Sequence, residues 1–140
     1  MNTAIELHDS KCLAVEADNH GRGFVLLDAY VHRTDGEPGA ASGEGGVQRI
    51  RLKLDEMSIE GVLGDLPASI FEGSLTVGTS IQDNMVPFPA KYSEAVLLSL
   101  TLADDARMVV VSGVGLSIEP DGTFRFVEPF IFTGPRRPIG

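Results

Sequence analysis

Apolar and polar residues alternate along most of this chain with a period of two. The clearest example is 48–55, where Ile50, Leu52 and Leu54 are separated by charged residues. Successive side chains of a strand point to opposite faces, so this segment predicts a β-strand with one face in water. Related patterns predict further strands at 3–8, 11–17, 24–33, 91–102 and 108–119.

The segment 108–119 is the most apolar of these and is expected to lie deep in the sheet. Its three consecutive valines, 109–111, have restricted χ1 angles and favour an extended backbone. Gly113 and Gly115 would each weaken a helix by about 1 kcal/mol relative to alanine. In a strand, glycines at these positions indicate a bulge or the close approach of another group.

Residues typical of turns separate the predicted strands. The predicted turns lie at 9–10, 103–106 and 120–122. The last of them predicts the clearest hairpin, in which 123–132 returns beside 108–119. The stretch 34–46 contains five glycines and is predicted to be a mobile surface loop. The stretch 66–73 is predicted to be a single helical turn or a tight connection, ended by a glycine.

The segment 91–102 carries two conflicting signals. Its Glu, Ala and Leu content favours a helix, whereas its apolar residues at even positions from 96 to 102 favour a strand. The alternation favours a strand. The chain is then predicted to contain about eight to ten short strands, with no regular alternation of strands and helices. We therefore predict an all-β domain over 1–133, built as an antiparallel β-sandwich of the jelly-roll or C2-like kind. A lipocalin-like β-barrel is the alternative, and 134–140 is predicted to be a loose C-terminal tail.

Charge and composition narrow the classes of partner. The chain has 20 acidic and 11 basic residues and a net charge of −9, so nucleic acids and anionic membrane surfaces are poor partners. No apolar run approaches the roughly 20 residues that a membrane-spanning helix needs. The first residues lack a basic segment followed by an apolar one, so a cytoplasmic protein is expected.

The most suggestive group of polar residues is Asp28, Tyr30 and His32. Positions two apart on a strand share a face, so the three side chains are expected to form a row. Such a row could bind a polar ligand, and His32 could act as a general base. The alternative is that this end of the strand simply emerges into solvent.

Other chemistry is weakly indicated. The three histidines, His8, His20 and His32, lack the close spacing of metal ligands, so we predict neither a metal site nor a cofactor. The single Cys12 is expected to be a small buried apolar residue. The sequence contains no nucleophile elbow, phosphate-binding loop or dinucleotide-binding fingerprint.

Arg49, Arg51 and Lys53 form a basic stripe on one face of a predicted strand. The stripe could pair with acids on a neighbouring strand, or it could receive an acidic partner or a second copy of the chain. We predict a non-catalytic binding domain for another protein or for itself. The alternatives are a small-molecule-binding barrel, and a hydrolase-type enzyme or metal-binding protein that uses His32 or His8.

Overall fold

The computed structural model describes residues 1–102 and 107–131, which form ten β-strands and no helix. The all-β antiparallel class is therefore confirmed. The strands are β1 (Asn2–Ala17), β2 (Gly23–Thr34), β3 (Gly43–Leu54), β4 (Ser58–Gly61), β5 (Ala68–Val77), β6 (Ser80–Asp83), β7 (Met85–Pro87), β8 (Ala90–Leu102), β9 (Arg107–Pro120) and β10 (Arg125–Phe130). The turn predicted at 103–106 and the tail predicted at 134–140 lie outside the described residues.

Six of the strands close into a barrel instead of the expected sandwich. Their order is β3–β2–β1–β5–β8–β9, and β9 returns to pair with β3. The closing contact aligns Ile50–Leu54 with Leu116–Pro120 in antiparallel register. The barrel alternative therefore fits better than the sandwich. The remaining strands attach outside the ring: β4 to β9, β6 to β5, β7 to β1 and β10 to β3.

The interior of the barrel is filled by aliphatic side chains from all six strands. The core includes Leu7, Leu27, Ile50, Ile70, Leu98 and Ile118, each no more than 1% exposed. These side chains belong to one contiguous apolar cluster. A small barrel can be filled in this way by its own side chains, and the described interior is a packed apolar core.

The glycines in β9 shift the alternation of its side chains. Val109 and Val111 face the core in the first half of the strand, and Leu116 and Ile118 face it in the second. One extra residue therefore lies between the halves, where Gly115 has a φ of +88°. This local conformation favours glycine, as expected for the bulge that the sequence indicates.

The predicted hairpin at 120–122 is wrong. β10 does not return beside β9; both strands pair with β3, β9 along 50–54 and β10 along 43–47. Between them the amide of Asp121 still donates a hydrogen bond to the carbonyl of Arg49, at 2.8 Å. The chain thus stays on the same edge of β3 and continues in the same direction. The turn-forming residues thus make a short outward loop, and the direction of the chain is not reversed.

The turn predicted at 9–10 is also wrong, because 2–17 is a single strand with a large bulge. Residues 7–10 of β1 lie opposite Ala29 alone. The buried hydroxyl of Ser10 donates to the carbonyl of Glu6 at 2.7 Å and accepts from the amide of Tyr30 at 2.9 Å. The side chain of Ser10 thus replaces the backbone partners that the bulge removes.

Two further segments are strands where the sequence predicts other structure. The helical turn predicted at 66–73 is wrong, because Ala68 and Ile70 are buried in β5 while Phe71 is exposed. In the stretch 34–46, predicted to be a loop, the last four residues belong to β3. The strand prediction for 91–102 is confirmed by β8. Among the described residues there is no helix of the length and apolar character that crossing a membrane requires.

Candidate functional site

Asp28, Tyr30 and His32 share the outer face of β2, as the sequence predicts. The adjacent strand β3 has glycine at 43, 45 and 46. Tyr30 lies directly over this gap, since a Cβ atom built on Gly45 would be 2.0 Å from the Tyr30 hydroxyl oxygen. The glycines therefore leave space for side chains of β2 and β10 to meet across β3.

Each residue of the row contacts one side chain of β10. The Nη2 of Arg125 lies 3.5 Å from Asp28 Oδ1, the Tyr30 hydroxyl donates to Glu128 Oε2 at 2.8 Å, and the Phe130 ring is centred 4.7 Å from that of His32. Burial, followed by the contact with Glu128, raises the pKa of Tyr30 to about 12. These six residues, which we call the β2–β10 cluster, hold together two strands that share no backbone hydrogen bonds.

His32 is largely buried, with 8% of its surface exposed. Its Nε2 lies 2.6 Å from Glu6 Oε1 on β1, and its ring packs edge-on against Tyr30. The imidazole does not emerge into solvent, because Phe130 covers it. The Nδ1 of His32 is buried and has no hydrogen-bond partner among the described residues, and the general-base role of His32 stays a prediction.

The other two histidines lie elsewhere. His8 is exposed on the bulge of β1, and its Nδ1 donates to the carbonyl of Phe71. That hydrogen bond, with the nearby Asp9, Glu6 and Glu72 carboxylates, raises the pKa of His8. His20 lies in the loop between β1 and β2. Within 1–102 and 107–131, no three His, Cys, Asp or Glu side chains are grouped so that they could hold a metal ion.

Cys12 faces the barrel interior and is 1% exposed, and its burial raises the pKa of the thiol to about 11. A protonated, enclosed thiol reacts slowly, because the thiolate is the nucleophile. We expect the native protein to resist a disulfide-type thiol reagent at mildly alkaline pH, and to react fully once guanidinium unfolds it. Absorbance of the released chromophore measures this. Rapid reaction of the native thiol would contradict the placement of Cys12 in the core.

The basic stripe lies on the outer face of β3, and two of its three residues pair with acids. Lys53 Nζ is 3.2 Å from Glu119 Oε1, and Arg51 Nε is 3.4 Å from Asp121 Oδ1. Arg51 also stacks over the ring of Phe24, at 4.4 Å from its centroid. Arg49 borders a cavity of about 200 Å³. Neither Tyr30 nor His32 lines that cavity or the larger groove of about 620 Å³ near the end of β3.

A surface that the sequence analysis missed lies on the opposite side of the barrel. We call it the β8–β9 face, and it consists of outward-facing residues of β8, the first half of β9 and their neighbours. Its residues on β8 and β9 are uncharged: Ala95, Leu97, Ser99, Thr101, Met108, Val110, Ser112 and Val114. The neighbouring strands add the uncharged Ser58, Val62, Ser74, Thr76 and Ile81 and the acids Glu60, Glu72 and Asp83. The signal is present in 95–101 and 108–114, where the residues between the buried ones carry no charge.

Acidic side chains border the β8–β9 face. In the strand register Glu60 lies beside Val110, Glu72 beside Thr101 and Asp83 beside Ser74. Charged residues are therefore concentrated at the rim of this face and on the outer face of β1–β3. Comparison of the chain with models of protein families, with curated proteins and with solved structures found no match. The distribution of charge and apolar surface is thus the strongest functional signal in the molecule.

Proposed function

We propose that this protein is a non-catalytic β-barrel that associates with a second copy of itself through the β8–β9 face. The observation that carries the proposal is the uncharged, partly apolar centre of this face, formed by β8 and β9, on a chain of net charge −9.

Five of the ten large apolar side chains that are exposed among the described residues lie on this face. Val62, Ile81, Leu97, Met108 and Val114 are between 42% and 67% exposed, and all five lie there. Contiguous exposed apolar patches commonly mark interaction surfaces, whereas single exposed apolar residues are ordinary. Small hydroxyl residues such as Ser99 and Ser112 lie between them and leave the surface without bulky polar groups.

A second copy fits this surface better than a charged partner does. A two-fold contact places the same patch on both sides, so apolar residues cover apolar residues. Homodimer interfaces are also more apolar than the average protein surface. The rim acids Glu60 and Asp83 would then approach their equivalents, and their repulsion weakens as salt screens it. Association is therefore expected to strengthen when the ionic strength is raised.

Light scattering coupled to size-exclusion chromatography tests the proposal over a range of protein and salt concentrations. We expect the average mass to rise towards that of a dimer with both variables. Leu97→Glu should keep the chain monomeric, because it places a charge at the centre of the face.

Phe126→Glu is the matched control, because it adds the same charge at another exposed apolar residue, 56% exposed on β10. This variant should associate like the wild type. A strict monomer under all conditions would refute the proposal, as would equal disruption by both variants.

A further inference from the structure

A groove of about 620 Å³ lies where the first residues of β2, the last residues of β3 and the second half of β9 meet. Both outward-facing side chains such as Lys53 and core-facing ones such as Leu116 line it. Four of the 11 basic residues of the chain line it, but only three of the 20 acidic residues do. Three of these four cations pair with carboxylates: Arg22 with Asp55, Arg51 with Asp121 and Lys53 with Glu119. The volume of the groove is within the range of small-molecule sites, about 300–1,000 Å³.

Strand register places two of these cations on either side of a hydroxyl. Lys53 on β3 lies directly opposite Ser117 on β9, and Ser117 lies directly opposite Lys91 on β8. Directly paired residues of antiparallel strands have side chains on the same face, with Cα atoms about 4.5–5.5 Å apart. The three side chains therefore form a cradle, Lys53–Ser117–Lys91, of two ammonium groups around a hydroxyl donor.

The protein's own carboxylate already occupies part of this cradle. The Ser117 hydroxyl donates to Glu119 Oε2 at 2.7 Å, and Lys53 Nζ lies 3.2 Å from Glu119 Oε1. The hydrogen bond from Ser117, then that from Lys53, lowers the pKa of Glu119, and the charge of Lys91 adds to the effect. The same donors can bind the anionic group of a ligand in place of this side chain.

The rest of the groove carries apolar, aromatic and charged side chains. Phe24 lies beside Lys53 in the strand register. Tyr92 and Leu116, which pack against the core, and the acids Glu16, Asp18 and Asp55 also line the groove. Gly23 and Gly115 contribute no side chains to its wall. A ligand that fills this space needs an apolar or aromatic body in addition to its anionic group.

We propose that the groove is a binding site for a small amphipathic organic anion, whose charged group binds in the Lys53–Ser117–Lys91 cradle and whose apolar body lies against Phe24. This proposal is independent of self-association, because the groove uses the second half of β9 and the β8–β9 face uses the first. The two can therefore fail separately.

Anilinonaphthalene sulfonate is a suitable probe, because it combines an aromatic body with one anionic group. Titration followed by fluorescence should give saturable binding to the wild-type protein at one site. The double variant Lys53→Gln/Lys91→Gln should weaken this binding by at least about tenfold, since two charge-assisted contacts are lost.

Two controls distinguish binding of the sulfonate in the cradle from long-range charge attraction and from binding of the aromatic body alone. Lys11→Gln/Arg49→Gln removes the same charge from exposed positions outside the groove, and it should change the affinity less than about twofold if long-range attraction is a minor term. N-phenylnaphthylamine has a similar aromatic body without the sulfonate, and its binding should not distinguish Lys53→Gln/Lys91→Gln from the wild type.

Glu119→Gln provides a test in the opposite direction. It removes the carboxylate that competes for the cradle, so sulfonate binding should tighten, whereas Glu60→Gln, with the same change in charge, should have little effect. The proposal is overturned if the wild type shows no saturable binding, if both lysine and control double variants weaken binding equally, or if Glu119→Gln weakens it.

Discussion

Leu98→Ala is expected to lower the free energy of unfolding by about 2–5 kcal/mol, which makes it among the most destabilising single changes in the barrel. Leu98 lies in the middle of β8, faces the interior and is 1% exposed. Because the interior is filled from all six strands, the neighbouring side chains cannot fully collapse into the space that the substitution leaves. Urea unfolding followed by circular dichroism measures the change through the transition midpoint.

Leu97→Ala is the matched control, since it is the same substitution one position earlier on the same strand. Leu97 faces outward and is 42% exposed, so its truncation should change stability by no more than about 0.5 kcal/mol. Measurements at low protein concentration keep self-association from contributing. Equal losses for the two variants would contradict the assignment of inner and outer faces along β8.

Gly45→Ala is expected to destabilise the protein by about 1–3 kcal/mol through overpacking. The backbone of Gly45 is not in the left-handed region, so alanine meets no conformational barrier there. The penalty comes from Tyr30, since the new Cβ atom would lie 2.0 Å from its hydroxyl oxygen and 2.7 Å from its Cζ atom. Tyr30 would have to move, and its hydrogen bond to Glu128 would be lost. The same denaturation experiment measures the effect.

A double-mutant cycle isolates this contact. In a Tyr30→Ala background the space above Gly45 is open, so Gly45→Ala should be nearly neutral or slightly stabilising, because alanine reduces the conformational entropy of the unfolded chain. Tyr30→Phe removes only the hydroxyl, so it should change stability by about 1 kcal/mol or less. If Gly45→Ala is equally destabilising with and without Tyr30, the close approach of the two residues is not the cause.

The alternation of apolar and polar residues identified those strands that have one face in the core and the other in solvent. Residues 48–55 and 91–102 are strands because their apolar positions point into a common core, and in β8 this packing outweighs a helix-favouring composition. Patterning failed at 34–46, where glycines suggested only a flexible loop. Three of them are in β3, where Gly45 makes room for the Tyr30 side chain and Gly46 for that of Phe124.

The candidate sites were harder to predict than the strands. The alignment of Asp28, Tyr30 and His32 on one face followed directly from their spacing, but their burial did not, because β10 covers them from a position about 100 residues later in the chain. The basic residues Arg51 and Lys53 were recognised on one strand. Lys91 and Ser117 were not connected with them, since only the register of three strands brings these residues together.

The sequence by itself determined the antiparallel all-β class and the inner and outer positions of its regular strands, because both depend on an alternation that each segment carries locally. Tertiary structure alone decided which strands pair, and with them the closed barrel, the β8–β9 face and the groove. Residues 120–122 illustrate the reason, because the same turn-forming residues are compatible with a hairpin or with a short outward loop between two strands that run in the same direction. The outward loop forms because β3 extends past the end of β9, so that β10 pairs with the remaining length of the same β3 edge.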